Sequence, residues 1–323
     1  MKLESVLVVG GSGFLGRHFL AALSRRGIRA VVPTRSRKRA KHLFLLPSVN
    51  VVEADVFEPG VLERLATGCQ MAVNFAGVLH SRHGRPDERG PNGYGPDFAR
   101  VHVELPQAIA RACRSVGVQR FLHVSALGAE QSAPSEYLRS KAIGEQAALA
   151  AEELDTTVFR PSVVFGPEDR FLNQFASLAR FLLVLAVPCP DALFKPVYVA
   201  DVAEAMLAAA TDPGARGKRY DLCGPRVYRL KELVEYVCAV TGHRRIVLGL
   251  PDALSRLQAR LMGLLPGSPF TIDNYRSMQV PNASDAPFPF GLQPRSIEGV
   301  APAYLAPLSS RERYQQLRLR ARR

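Results

Sequence analysis

The apolar run Val6-Leu7-Val8-Val9 leads without a break into Gly10-Gly11-Ser12-Gly13-Phe14-Leu15-Gly16-Arg17. A buried strand, a glycine-spaced turn and a helix in immediate succession leave few folds open. Glycine at 10, 13 and 16 removes the Cβ atoms that would keep a ligand from the backbone N–H groups, and a helix from Phe14 to Arg26 would aim its positive end at that ligand. A glycine pattern alone is also met in plain turns. In this strand–turn–helix setting it reads as a cradle for a dinucleotide pyrophosphate, with Gly10, Ser12, Gly13, Phe14, Leu15 and Gly16 as the contacting residues.

The rest of the first half agrees. Apolar runs near 5–9, 29–33, 49–53, 71–75, 120–125 and 156–160 alternate with amphipathic stretches near 14–26, 38–45, 59–67, 97–116 and 136–153. That alternation predicts an α/β fold with a doubly wound, parallel, Rossmann-like sheet. Past Gly166-Pro167 it fades into a helix near 170–184, a strand-like 196–199, helices near 201–211 and 229–241, and a proline-rich stretch 264–308 expected to wrap the surface in extended form. We therefore expect a dinucleotide-binding domain over 1–165 and a smaller, partly irregular substrate-side region over 166–308, with 196–211 packing back on the sheet. A basic tail, 309–323, follows. The Gly- and Pro-rich stretch 80–96, after the fourth strand, reads as a lid or a surface insertion.

Composition narrows the function classes. Five cysteines stand far apart with no CxxC pair, which suggests neither a disulfide framework nor a zinc site. His80 and His83 have metal-ligand spacing without a supporting cluster, so no metal is expected. The first strand begins close to Met1, and the expectation is a cytoplasmic protein. The net charge of +13 draws anionic partners, but with 8% aromatics and no Trp nothing resembles a nucleic-acid-binding module. Six Arg interleaved with Tyr314, Leu317 and Leu319 in the tail are compatible with an anionic membrane surface, and equally with a solvated tail.

Several residues fall where a nicotinamide site needs them. Asp55, with Val56, follows the third strand and can reach the adenine, and Ala76-Gly77 ends the fourth strand where the cofactor would cross. After the second strand the chain reads Thr34-Arg35-Ser36-Arg37-Lys38-Arg39, with no acid to bind a ribose 2′-hydroxyl. Arg35 therefore points to a 2′-phosphate and to NADP(H), with NAD(H) the alternative. Tyr137 and Lys141 are four residues apart, hence on one helix face, and follow a strand that ends in Ser125. A phenol whose proton affinity is lowered by an ammonium can exchange a proton while hydride moves, so Tyr137, Lys141 and Ser125 are the candidate catalytic residues.

On these motifs the chain resembles the short-chain dehydrogenase/reductases, in their extended and atypical branches. Phe159-Arg160-Pro161-Ser162-Val163-Val164-Phe165-Gly166-Pro167 and Val197-Tyr198-Val199-Ala200-Asp201-Val202-Ala203 look like the sheet-closing segments of that superfamily, which adds Pro161 to the cofactor contacts. Residues 137–145, 168–176 and 196–199 are similar, more narrowly, to the nucleotide-binding accessory subunit of respiratory complex I and its bacterial relatives. The resemblance implies a tightly held NADP(H) and a respiratory complex as partner. Two positions depart from the superfamily: Ala126 stands where its catalytic hydroxyl is usual, and His102 stands where an asparagine often supports proton relay. A freestanding reductase, dehydrogenase or epimerase of a sugar-nucleotide, lipid or isoprenoid carbonyl or hydroxyl is the alternative, and a redox-sensing regulator a third.

Overall fold

A computed structural model describes residues 3–82, 93–151, 153–264, 270–306 and 318. Its centre is a seven-stranded sheet of β1 (Ser5–Val9), β2 (Arg29–Thr34), β3 (Val49–Glu53), β4 (Met71–Asn74), β5 (Arg120–Val124), β6 (Asp155–Pro161) and β7 (Arg219–Leu222), in the order β3-β2-β1-β4-β5-β6-β7. Every pairing in it is parallel. The strand order reverses between β1 and β4, which opens a crevice at their carboxyl ends.

Both faces of the sheet are covered, which is why β1 is apolar throughout rather than alternating. Val6 and Val8 face a core shared with Phe19, Leu20 and Leu23 of helix α1 (Phe14–Arg25), and Leu7 and Val9 face one shared with Leu62 and Leu65 of α2 (Val61–Ala66) and Ile109 of α3 (Leu105–Ser115). Helix α4 (Glu136–Leu149) packs beside α3, α5 (Phe171–Phe181) lies in the second half, and Val202 and Met206 of α6 (Val199–Thr211) join the first of those cores.

Several expected elements differ. The 38–45 helix is a 3₁₀ segment, Arg37–Leu45, because a run of four basic residues in five leaves only Ala40 and Leu43 to bury. Pro59 precedes its helix instead of opening it, since Gly60 adopts a left-handed conformation at the N-cap of α2. The expected 97–116 helix contains a π-helical segment, Ala99–Glu104, ahead of α3. The helix near 170–184 stops at Phe181, and Val184–Val187 becomes a strand paired with Ile246–Gly249. Strand β7 had no expectation at all.

The proline-rich stretch holds short helices, Ile272–Ser277 among them, and crosses the molecule as a strap. Asp273 accepts from the N–H groups of Glu136 (2.7 Å) and Tyr137 (3.1 Å). Asn282 Oδ1 accepts from Ser162 Oγ and Val163 N, and the Arg295 guanidinium and N–H both bind the buried Asp201 carboxylate. Tyr304 donates to Asp169, which itself receives the first N–H groups of α5. Among the described residues no helix is long and apolar enough to cross a membrane. Residues 83–92 of the stretch expected as a lid or surface insertion, and all of the basic tail but Arg318, lie outside the described residues.

Candidate functional site

The glycine turn has the geometry its spacing predicts. Gly10 has φ +77°, and a Cβ there would stand 2.7 Å from the N of Ala76, so the turn closes directly on the end of β4. A Cβ at Gly16 would stand 2.6 Å from Gly11 Cα, which makes this glycine the packing contact between α1 and the turn. Gly13 differs: a Cβ there would meet only the Gly10 carbonyl, at 3.2 Å. It is the N-cap of α1, with no side-chain cap and no acid in the first turn. The helix therefore presents a bare positive end to an open space, as an anion requires.

Around it, Ser12 is half-buried and Leu15 packs on the core. The Phe14 ring is turned away, edge-on to His18 and against Gly166, so its contribution to a ligand is through the backbone. Arg35 is exposed beyond β2. His42 sits close to Ser12 and Arg17, and burial followed by the Arg17 charge lowers its pKa. Asp55 accepts from Phe57 N at 3.1 Å, which leaves its second carboxylate oxygen available, and Val56 packs on the core beneath. Pro161 ends β6, and its carbonyl accepts from Leu127 N.

Farther along the crevice, the helix carrying the Tyr/Lys pair is held at its start by Ser135, whose hydroxyl accepts from Leu138 N. Lys141 is buried and donates to the Val124 carbonyl at 3.3 Å; its Nζ lies 3.2 Å from where a Cβ on Gly77 would be. Gly77 thus leaves the ammonium uncovered at the end of β4. Desolvation pulls the Lys141 pKa down to about 8, partly offset by Glu145. Tyr137 shares apolar clusters with Phe98 and Val103 on one side and with Ala126, Leu138 and Val280 on the other. Burial alone pushes its phenol up to about 12. The lowering by Lys141 that the spacing suggests is not seen, because the ammonium is directed at Val124 O and Gly77.

Two histidines were missed as members of this site or read only as a substitution. His102, in the π-helical segment, accepts from Val78 N at its Nε2 (3.0 Å) and donates through Nδ1 to Ser140 Oγ (2.8 Å), which donates to the Tyr137 carbonyl. Burial, then the Lys141 charge, holds it neutral. His123 is likewise neutral, its pKa pushed down to about 3 by burial and then Lys141. Asn74 gives its carbonyl to Ala76 N and its amide to His123 Nδ1, so His123 Nε2 carries a hydrogen and has no hydrogen-bond partner among the described residues. Ser125, directly after β5, likewise has a buried hydroxyl with no hydrogen-bond partner among the described residues. In the sequence, the one hint of this network is His102 at the position where an asparagine often supports proton relay.

A nicotinamide dinucleotide fits these residues: a bare helix end for the pyrophosphate, an uncovered ammonium for ribose hydroxyls, and orphaned buried polar groups where the ring would reach. The pH dependence follows. With a folded pKa of about 8, the Lys141 contact is present below that pH and is lost as pH rises through it. A bound anion shifts this midpoint upward. NADPH affinity should fall from pH 8 or somewhat above, by up to about tenfold per pH unit, and titrations of Lys141→Met should be flat across the same range.

Comparison with known proteins agrees with the geometry. The model of the NAD dependent epimerase/dehydratase family matches residues 6–223. The mitochondrial NADH dehydrogenase [ubiquinone] 1 alpha subcomplex subunit 9 of Mus musculus is 34% identical over 304 residues, covering 90% of this chain and 77% of the mouse protein. A ceramide reductase of Caulobacter vibrioides is 30% identical over 248 residues, 76% of this chain and 74% of its own. Among solved structures, MoeE5 in complex with UDP-glucuronic acid and NAD superposes with a TM-score of 0.63 at 21% identity, over 76% of this chain and 85% of that one, a likeness of fold. The chain thus belongs to the NAD dependent epimerase/dehydratase family and is a relative of the NADH dehydrogenase [ubiquinone] 1 alpha subcomplex subunit 9 proteins.

Proposed function

We propose that this chain is a cytoplasmic, NADP(H)-binding member of its family that holds the dinucleotide tightly, turns it over slowly, and serves a respiratory or quinone-linked complex. The observation that carries this reading is the contact of Ala126 with the Tyr137 cluster. The glycine turn and Lys141 that would hold a cofactor are present, whereas Ala126, in the same apolar cluster as Tyr137, stands where the superfamily usually has a hydroxyl. Loss of one such donor lowers rates by about 10²–10³ at comparable sites. Similarity to a complex I subunit over nine-tenths of the chain supports the setting, and Arg35 without a neighbouring acid supports the 2′-phosphate.

When bound, the dinucleotide supplies or accepts a hydride at its nicotinamide ring. The chain's own groups then do the following. Lys141 binds the ribose hydroxyls, Ser125 offers its unpartnered hydroxyl to a substrate oxygen, and Tyr137 holds a proton at its phenol. With its pKa about 12, that phenol is protonated at neutral pH, so it is set to give a proton to a carbonyl oxygen and poorly set to take one from an alcohol. Any chemistry should therefore run more readily as reduction.

A second reading, a freestanding carbonyl reductase acting on an apolar substrate, is favoured by the retained Tyr137, Lys141 and Ser125 and by similarity to a ceramide reductase. Calorimetric titration tests the cofactor assignment. NADPH should bind at least tenfold more tightly than NADH, and Arg35→Asp should reverse the order; NADH preference in the wild type would refute it. Tyr137→Phe separates the readings, because it should silence a reductase and leave a cofactor-holding subunit unchanged in its complex.

A further inference from the structure

The second half of the molecule turns large apolar side chains outward. Helix α5 ends in Phe181, 75% exposed, followed by Leu183 at 73%. The chain then enters the strand Val184–Val187, whose partner strand carries Ile246 at 61% exposure and Leu248. In that pair Val184 stands opposite Ile246 and Ala186 opposite Leu248, so their outward faces coincide. Three residues after that partner strand begins the helix Asp252–Gly263. Its packing is the reverse of an ordinary surface helix: small Ser255 and Ala259 are its fully buried residues, while Leu254, Leu257 and Leu261 point to solvent. A helix that buries serine and exposes leucine is built for an apolar environment on its outer side.

The charges around this surface that make no ion pair among the described residues are arginines. Arg180, Arg244 and Arg260 are exposed and make no ion pair among the described residues, whereas the neighbouring acids are engaged: Asp252 with Arg256 and Tyr275, Glu235 with Lys231. On the helix two arginines, 256 and 260, run along one side of the leucine stripe. This is the distribution of a helix lying in the plane of a lipid interface, aliphatic side chains in the acyl boundary and guanidinium groups among anionic headgroups. A protein partner would be expected to meet tyrosine or tryptophan anchors, and the exposed patch has neither.

We propose that this face, formed by the end of α5, the paired strands 184–187 and 246–249, and the helix 252–263, docks the protein on an anionic lipid bilayer. The docking is independent of the nucleotide assignment, since none of these residues belongs to the crevice. Flotation of the full chain with vesicles tests it, using phosphatidylcholine alone and phosphatidylcholine with about one third phosphatidylglycerol. Two double variants, Leu257→Glu with Leu261→Glu and Phe181→Glu with Leu183→Glu, sit at exposed positions and should keep the wild-type melting profile and NADPH affinity. The wild type should float with the anionic vesicles, several-fold less with the neutral ones, and each variant should lose at least tenfold in partitioning. A wild type that stays at the bottom of the gradient overturns the proposal. Variants that float like the wild type overturn it too, in favour of the tail. A dimer dissolved by either variant, without vesicle binding, would assign the face to a second copy of this chain.

Discussion

Gly13→Asp should leave the protein as stable as the wild type, or a few tenths of a kcal/mol more so, and should abolish useful dinucleotide binding. The two effects have one cause. Gly13 is the N-cap of α1, at φ −77° and ψ 179°, a backbone conformation that aspartate adopts without strain, and a Cβ there has only the Gly10 carbonyl near it. Its carboxylate would accept the free N–H groups of the first helical turn and sit on the positive end of the dipole. That is where the pyrophosphate is expected, so the new charge both occupies and repels. A loss of at least 100-fold in NADPH affinity, about 3 kcal/mol, measured by calorimetry beside an unchanged melting temperature, is the expected result. Equal binding by the variant would place the pyrophosphate elsewhere.

Gly144→Ala should be the most damaging single methyl group added near the site. A Cβ at Gly144 would coincide with the carbonyl oxygen of His102, so α4 and the π-helical segment meet here backbone to backbone. Neither side can yield by rotating a side chain. The variant should lose ~3 kcal/mol of stability, the upper part of the usual overpacking range, and its melting temperature should drop by several degrees. Because Lys141 lies one turn earlier on the same helix and His102 supports Ser140 and Val78, cofactor affinity should fall as well. Gly263→Ala is the control: among the described residues nothing lies within 4 Å of a Cβ there, and the change should be neutral. A Gly144→Ala protein that melts and binds like the wild type would show that this helix contact does not set the site.

The parts of this site that could be read from the sequence are those whose physics is local. The glycine turn is legible because strand, turn and helix follow within a dozen residues, and Tyr137 and Lys141 because a helix brings i and i+4 together. The central strands could be placed because burial on both faces makes them continuous apolar runs. What stayed hidden depends on distant segments. Asp273 holds the start of α4 across a separation of more than a hundred residues, and its neighbourhood carries only a turn-like composition. The π-helical segment is set by packing of His102 and Phe98 against Tyr137, which no helical periodicity encodes. Strand β7 is a mixed Arg-Tyr-Asp-Leu, because an edge strand need not be apolar on both faces. The lowering of Tyr137 by Lys141 was inferred from spacing, whereas the direction of the ammonium toward Val124 O is a matter of three-dimensional placement.

The most direct test is a crystal structure of the full chain grown with NADPH. The account predicts one dinucleotide in the crevice between β1 and β4, its pyrophosphate on the N–H groups at Gly13 to Leu15, its 2′-phosphate beside Arg35, and its nicotinamide ribose on Lys141. Electron density for the dinucleotide elsewhere, or protein crystals that exclude it at millimolar concentration, would contradict the assignment of this crevice as the cofactor site.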